Sequence, residues 1–178
     1  GIAPRAAEPL VKRSRAIGTG DSVFSATKER SKNSNKGLHV RVGACNVRTL
    51  RSIERVREIS TSLIEMKLDV CGLTEVRRAG TGSCVDSDYA YFWSGSPAGV
   101  NDWLGGAGCA FNVNWLGKQG LKPEDCVTTF SEARVIAIKL PRTKKAPPIM
   151  IVVGYAPTSS AEEEEIDAFY DSMTRALS

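Results

Sequence analysis

What most narrows the fold of this chain is a strand, helix and strand in quick succession between Leu38 and Glu75. "LHVRVGA" alternates apolar and polar residues as a half-buried strand does. In "TLRSIERVREISTSLIEMK", Ile53, Val56, Ile59, Leu63 and Met66 fall at helical spacing, with Thr49 or Ser52 able to cap the first turn. "DVCGLTEVR" then gives a compact apolar run suited to a strand buried on both faces. Three such elements within about 35 residues make a βαβ unit, whose two strands lie parallel.

The rest of the chain continues in the same α/β style. "YAYFWSGS" predicts another strand, and a Gly-rich turn leads into the strand "CAFNV". "ARVIAIKL" and "PIMIVVGYAP" predict an antiparallel pair across the "PRTKKAPP" loop. The last segment, "SSAEEEEIDAFYDSMTRALS", reads as a helix capped by Ser159 or Ser160. Its apolar face would be Ile166, Phe169, Tyr170, Met173 and Leu177. A helix of this kind needs a sheet to cover and a strand after it. The pattern ends without that strand, and the chain starts at Gly1, so an excerpt or a processed product is expected.

Residues 1–36 differ in texture. They are rich in Ser, Gly, Lys and Arg, without a sustained period of 2 or 3.6, and are read as a disordered basic tail. Eight Lys/Arg and three Asp/Glu give that tail a charge of +5, whereas the remaining 16 basic and 17 acidic residues nearly cancel. The overall charge of +4 therefore belongs to the arm, which could hold a phosphate backbone or serve as a solvated linker.

Five cysteines (Cys45, Cys71, Cys84, Cys109, Cys126) are scattered without a C-x-x-C pair, and His39 is the single histidine. That spacing offers no zinc site. An odd count without a secretory signal favours free thiols in a reducing, intracellular compartment, four of the five as small buried hydrophobes. No apolar run is long enough to span a bilayer, so no membrane partner is expected.

Three polar residues share one context, because each ends an apolar strand. Asn46 follows "VRVGAC", Glu75 follows "DVCGLT" and Tyr155 follows "IMIVVG". Ligands of α/β sheets gather at the carboxyl ends of strands, where loops present side chains on a rigid scaffold. A carboxylate and an amide at neighbouring parallel-strand ends make an oxygen-rich pocket for a hard cation such as Mg²⁺. That ion would polarise a phosphoryl oxygen, and Tyr155 could donate a hydrogen bond to a phosphate. Taken singly, Glu75 is also an ordinary surface residue, Asn46 a turn former and Tyr155 a half-buried aromatic.

The ordered stretches "RVGACNVRTL", "LDVCGLTEVRR", "YFWSGS…GGAGCAF", "SEARVIAIKL" and "IMIVVGYAPTSSAEEEEIDAFYDSM" resemble the first half of an endonuclease/exonuclease/phosphatase superfamily domain. Within it they are most similar to craniofacial development protein 2-like proteins and non-LTR retrotransposon endonucleases. The resemblance covers residues 38–178. It implies a four-layer α/β sandwich of two packed sheets, truncated so that much of the second sheet is missing. It also implies Mg²⁺-dependent phosphodiester cleavage, with Mn²⁺ as the alternative ion, acting on DNA ahead of RNA, in the nucleus ahead of the cytoplasm. By the same resemblance Asn46 and Glu75 belong to the metal and phosphate pocket and Tyr155 hydrogen-bonds the scissile phosphate. Arg134 would be mainly structural, and "GGAG" at 105–108 would lead into a central strand, with Gly106 and Gly108 read as turn glycines.

Two departures from the family pattern qualify this. Cys45 stands where the family has Trp, and the later Gly-Asp-x-Asn and Ser-Asp-His motifs are absent. His39 precedes the first motif and cannot replace the missing base. An endonuclease-like domain that is inactive alone is therefore expected, with the first sheet's inner face bare and open to self-association or a partner. The competing readings are a non-catalytic remnant, a nucleic-acid-binding module using the basic arm, or a hydrolase of inositol phosphates or another small phosphodiester. Arg48 stays open between a phosphate contact and a residue at the start of the helix.

Overall fold

The computed structural model describes residues 17–18, 23–27, 38–97 and 105–178. Among them are ten strands and three α-helices. The predicted βαβ unit is present: β3 (Val42–Asn46), α1 (Ile53–Glu65) and β4 (Val70–Thr74), with β3 and β4 parallel from Val42↔Val70 to Asn46↔Thr74. Of the two candidate caps, Ser52 holds the first turn of α1 by accepting from Arg55 N at 3.1 Å. Thr49 Oγ1 instead accepts from Arg51 N. Val56, Ile59 and Leu63 are buried as the spacing requires, while Ile53 faces solvent.

β4 continues the larger sheet antiparallel to β7 (Ala107–Asn112), then β6 (Tyr89–Ser94) and β5 (Thr81–Val85). Side-chain alternation explains why β6 reads as apolar throughout. Tyr89 and Tyr91 pack toward α1 with Leu73 and Ala110, whereas Ala90 and Phe92 join Cys109 and Phe111 on the other face. The two buried phenols find partners: Tyr89 donates to Leu68 O at 2.7 Å and Tyr91 meets Ser60 Oγ at 2.6 Å. Burial, with a smaller push from nearby acidic groups such as Asp69 and Asp86, raises both phenols, Tyr89 to about 12.

The opposite face is covered by a second sheet of β8 (Val127–Glu132), β9 (Val135–Leu140) and β10 (Ile149–Gly154), with the antiparallel β9–β10 pair as expected. Ile136, Ile138 and Leu140 bury against Val70, Phe92, Cys109 and Phe111. On the far side of this sheet, Val135 and Ala137 receive α3 (Glu163–Leu177) through Phe169, Met173 and Ala176. The order through the molecule is thus α1, seven-stranded sheet, three-stranded sheet, α3. The chain is a mixed α/β protein, and no helix of the described residues is long and apolar enough to cross a membrane.

Three expectations need correction, on the inner face of the larger sheet, on α3 and on Gly108, and one pair of strands lies in the N-terminal arm. Residues 17–18 and 23–27, within the stretch read as disordered, form β1 (Ile17–Gly18) and β2 (Val23–Thr27). β2 pairs antiparallel with β3 from Phe24↔Cys45 to Thr27↔Val42, so its order comes from the edge of β3 and not from a local period. The other residues of the arm lie outside the described residues.

The inner face of the larger sheet is not bare. Three strands suffice to cover β4, β7 and β6, and among the described residues the parts over β3 and β5 stay open, where Val42 is 41% and Val85 54% exposed.

The buried stripe of α3 is Phe169, Ser172, Met173 and Ala176, because Ser172 and Arg175 both donate to Glu132 on β8 and fix the rotation of the helix. Tyr170 and Leu177 therefore point outward. Its N-cap position is Glu162, without a side-chain cap, in place of Ser159 or Ser160.

Gly108 lies inside β7, where a Cβ would meet Phe92 O at 2.7 Å, so it is a close-packed strand glycine and not a turn glycine. Gly106 keeps a turn role, with φ +90.

All five cysteines are free, four of them buried. Ile138→Ala, at the seam between the sheets, should lower unfolding free energy by roughly 2–5 kcal/mol in chemical denaturation. Leu177→Ala, on the outward side of α3, should stay within about 0.5 kcal/mol.

Candidate active site at three strand ends

Asn46 is the last residue of β3, Glu75 follows β4 directly, and Tyr155 follows β10 directly. The three meet. Asn46 Nδ2 donates to Glu75 Oε1 at 2.6 Å across a separation of 29 residues, and Tyr155 OH donates to the same oxygen at 3.3 Å across 80. Parallel pairing brings Asn46 and Glu75 to one sheet end, and the packing of β10 over β4 brings Tyr155 down onto them. That packing is close: a Cβ at Gly72 of β4 would lie 3.4 Å from Val153 of β10.

The backbone departs from strand geometry where the carboxylate is presented. Leu73 faces α1, so a continued strand would carry Glu75 to that side as well. Instead Glu75 takes φ +56, and its carboxylate meets Asn46 and Tyr155. Arg77 also takes a left-handed φ, +50, and Arg48 takes +58. Each non-glycine residue held there costs on the order of 1 kcal/mol or more, which packing elsewhere must offset. Gly105 N-terminal to β7 holds the turn: its carbonyl accepts from Arg77 N at 2.7 Å. Gly105 itself has φ +104, and a Cβ there would lie 2.4 Å from the Tyr155 ring, so only glycine fits.

Electrostatics fix the protonation states. Burial alone would raise the Glu75 carboxyl, but hydrogen bonds from Asn46 and Arg77, the Arg77 charge and the Tyr155 hydroxyl outweigh it and hold it below its ordinary value. Burial and the adjacent Glu75 carboxylate push the Tyr155 phenol up, so it remains a donor at neutral pH. Arg77 Nη2 reaches Glu75 Oε2 at 2.8 Å. Arg134 lies with Cζ 5.4 Å from the Tyr155 ring centre and pairs with Glu165 of α3 at 2.5 Å. The expected structural role of Arg134 fits these contacts, and its backbone carbonyl also accepts from Tyr155 N at 2.8 Å. A cavity of about 310 Å³ opens here, lined by Glu75, Arg77, Arg134, Tyr155, Thr158 and Glu165 among others.

The donor set limits what cation could be held. Asn46 Oδ1, the one atom of that side chain able to ligate a cation, accepts from Arg48 N at 3.0 Å. This contact also fixes the amide's orientation and accounts for Arg48 at the level of its backbone. As placed, Asn46 orients Glu75. Among the described residues, no group of three or more His, Cys, Asp or Glu side chains is positioned to hold a metal ion. Of the two carboxylates lining the cavity, Glu165 is paired with Arg134 and Glu75 lies at the strand ends. Mg²⁺ is typically held by one or two carboxylates with waters and substrate phosphate. His39 lies three residues before β3, at the end opposite Asn46, where its carbonyl accepts from Trp115 Nε1 of α2 (Val113–Gln119).

Sequence reasoning named Asn46, Glu75 and Tyr155 as site residues, placed Gly105 only in the entry to a strand and gave Arg77 no role. The available signals were a basic residue two places after a strand-end carboxylate and a Gly-Gly pair preceding a strand. No protein-family model and no curated protein matches the chain. What the fold and the site define is a mixed α/β protein with one hydrogen-bonded carboxylate at the mouth of a small polar cavity.

The lowered Glu75 value stabilises the fold above the ordinary carboxyl value of 4.5, and that contribution disappears as pH falls below it. Stability of wild type relative to Glu75→Gln, followed by urea unfolding from pH 7 down to about 3, should therefore shrink toward acid. A difference independent of pH would contradict the assigned contacts.

Proposed function

We propose that the chain is the first half of a Mg²⁺-dependent phosphodiester hydrolase of the endonuclease/exonuclease/phosphatase type, retrotransposon-derived, with nucleic acid, DNA ahead of RNA, as substrate. The convergence of Asn46, Glu75 and Tyr155 from three separate strand ends on one carboxylate oxygen carries this reading. The stacking of helix, sheet, sheet and helix supports a four-layer sandwich as its scaffold.

In this reading each side chain has one task. Glu75 presents the carboxylate that holds the ion, and Asn46 fixes that carboxylate's rotation. When bound, Mg²⁺ polarises a phosphoryl oxygen and stabilises charge developing on it. Tyr155, kept protonated by burial and by Glu75, donates its hydroxyl to a phosphate oxygen. Arg134 stacks on the Tyr155 ring and holds it over the cavity through its contact with Glu165.

No residue of this set can take a proton from water near neutral pH. Glu75 is held below the ordinary carboxyl value, Tyr155 is pushed above its own, and His39 lies before β3, at the end opposite Asn46. General-base assistance typically contributes about 10²–10⁴-fold, so this chain should bind an ion and a phosphate without appreciable turnover. Calorimetric titration with Mn²⁺ should show one site that Glu75→Ala abolishes, and nicking of supercoiled DNA should stay at background for both proteins. Cleavage that survives Glu75→Ala would mean that the chemistry resides elsewhere.

A further inference from the structure

Arg77 belongs to no part of that scheme, yet it makes an ion pair with Glu75 itself. Its Nη2 lies 2.8 Å from Glu75 Oε2, the oxygen that Asn46 and Tyr155 leave unoccupied. The same side chain is incompletely satisfied: its Nε is buried and, among the described residues, has no hydrogen-bond partner. Leaving a buried donor unpaired costs roughly 1–3 kcal/mol. The Arg77 backbone, by contrast, is tied at both ends, N to Gly105 O and O to Arg51 Nε, each at 2.7 Å. The residue is therefore anchored at its main chain in a left-handed conformation, while its guanidinium rests in an imperfect contact beside an open cavity.

A guanidinium and a divalent cation compete for one carboxylate oxygen. Both are electrophilic toward the same lone pairs, and at contact distance their like charges repel. Oε2 is also the carboxylate oxygen of Glu75 that neither Asn46 nor Tyr155 contacts. We propose that Arg77 is a displaceable internal counter-ion of Glu75: it caps Oε2 until a divalent cation takes that oxygen, and its released guanidinium then turns into the cavity as a contact for the substrate phosphate. This deepens the proposed metal-dependent function and rests on it.

The geometry favours such a movement over a permanent ion pair. The Arg77 side chain is 36% exposed, so it has room on the cavity side, whereas Glu75 is pinned by Asn46. The planar, multi-donor head of arginine suits a phosphate better than it suits one carboxylate oxygen. Release would also remove the orphaned Nε from its buried position. The arrangement would make ion and phosphate binding mutually reinforcing, since each occupies what the other frees.

The test compares Mn²⁺ affinity by calorimetry in wild type, Arg77→Gln, Arg134→Gln and Glu75→Ala, all checked for a native melting transition. Arg77→Gln should bind Mn²⁺ about tenfold more tightly, the size of one charge-assisted hydrogen bond removed from the competing state. Arg134→Gln, which removes an equal charge from the same cavity without touching Glu75, should change affinity by less than about twofold. The Arg77 Nε–H resonance of the wild type should shift on Mg²⁺ addition with the midpoint that Mg²⁺ itself shows by calorimetry. Unchanged or weaker Mn²⁺ binding by Arg77→Gln would overturn the counter-ion while leaving the metal site intact. Equal tightening by both arginine variants would overturn it in favour of long-range charge. Failure of every folded protein to bind Mn²⁺, or undiminished binding by Glu75→Ala, would instead remove the metal site and the counter-ion with it.

Discussion

Burial of β4, β7 and β6 on both faces is the constraint on which the rest of the structure depends. Leu73, Ala110, Tyr89 and Tyr91 face α1, while Val70, Cys109, Phe111 and Phe92 face β9 and β10. Burying side chains of the size of Val70, Leu73 and Phe111 contributes roughly 1.5–3 kcal/mol each. This seam also decides where function can be. It sets β10 over β4, and so the residue after β10 is delivered onto the residue after β4. Without that packing, Tyr155 and Glu75 would be two unrelated loop residues.

At the strand ends the balance reverses, and polar contacts decide detail where packing has decided position. Glu75 is approached by an amide, a guanidinium and a phenol. Each donor favours the ionised carboxylate, and their sum exceeds the cost of burying it. Three left-handed non-glycine residues, Arg48, Glu75 and Arg77, surround the same point, with Gly105 making room for the ring of Tyr155. Strain gathered at one place and supported by a rigid double-sided core is the pattern expected of a binding site.

The parts of this architecture legible in the sequence are those with a local signature. The apolar runs ending in Asn46, Glu75 and Tyr155 marked three strand ends, and the 3.6-residue spacing of Val56, Ile59 and Leu63 marked α1. The parts that were not legible depend on contacts distant in sequence. β5 ("TGSCV") and β8 ("VTTFSE") are short and polar and become strands by pairing with β6 and β9. The buried face of α3 is chosen by Glu132 on β8, so Ser172 turns inward and Leu177 outward against their hydropathies. Arg77 was hidden because its orientation follows from a left-handed turn held by the Gly105 carbonyl, which no spacing rule encodes.

The central claim is that residues from three strand ends form one hard-cation site. Paramagnetic broadening by substoichiometric Mn²⁺, read in an assigned amide and side-chain spectrum, tests it most directly. The account expects the Asn46 side-chain amide and the backbone amides of 74–77, 105 and 155 to broaden first, with those around His39 unaffected. Broadening centred elsewhere, or spread evenly over the acidic start of α3, would contradict it.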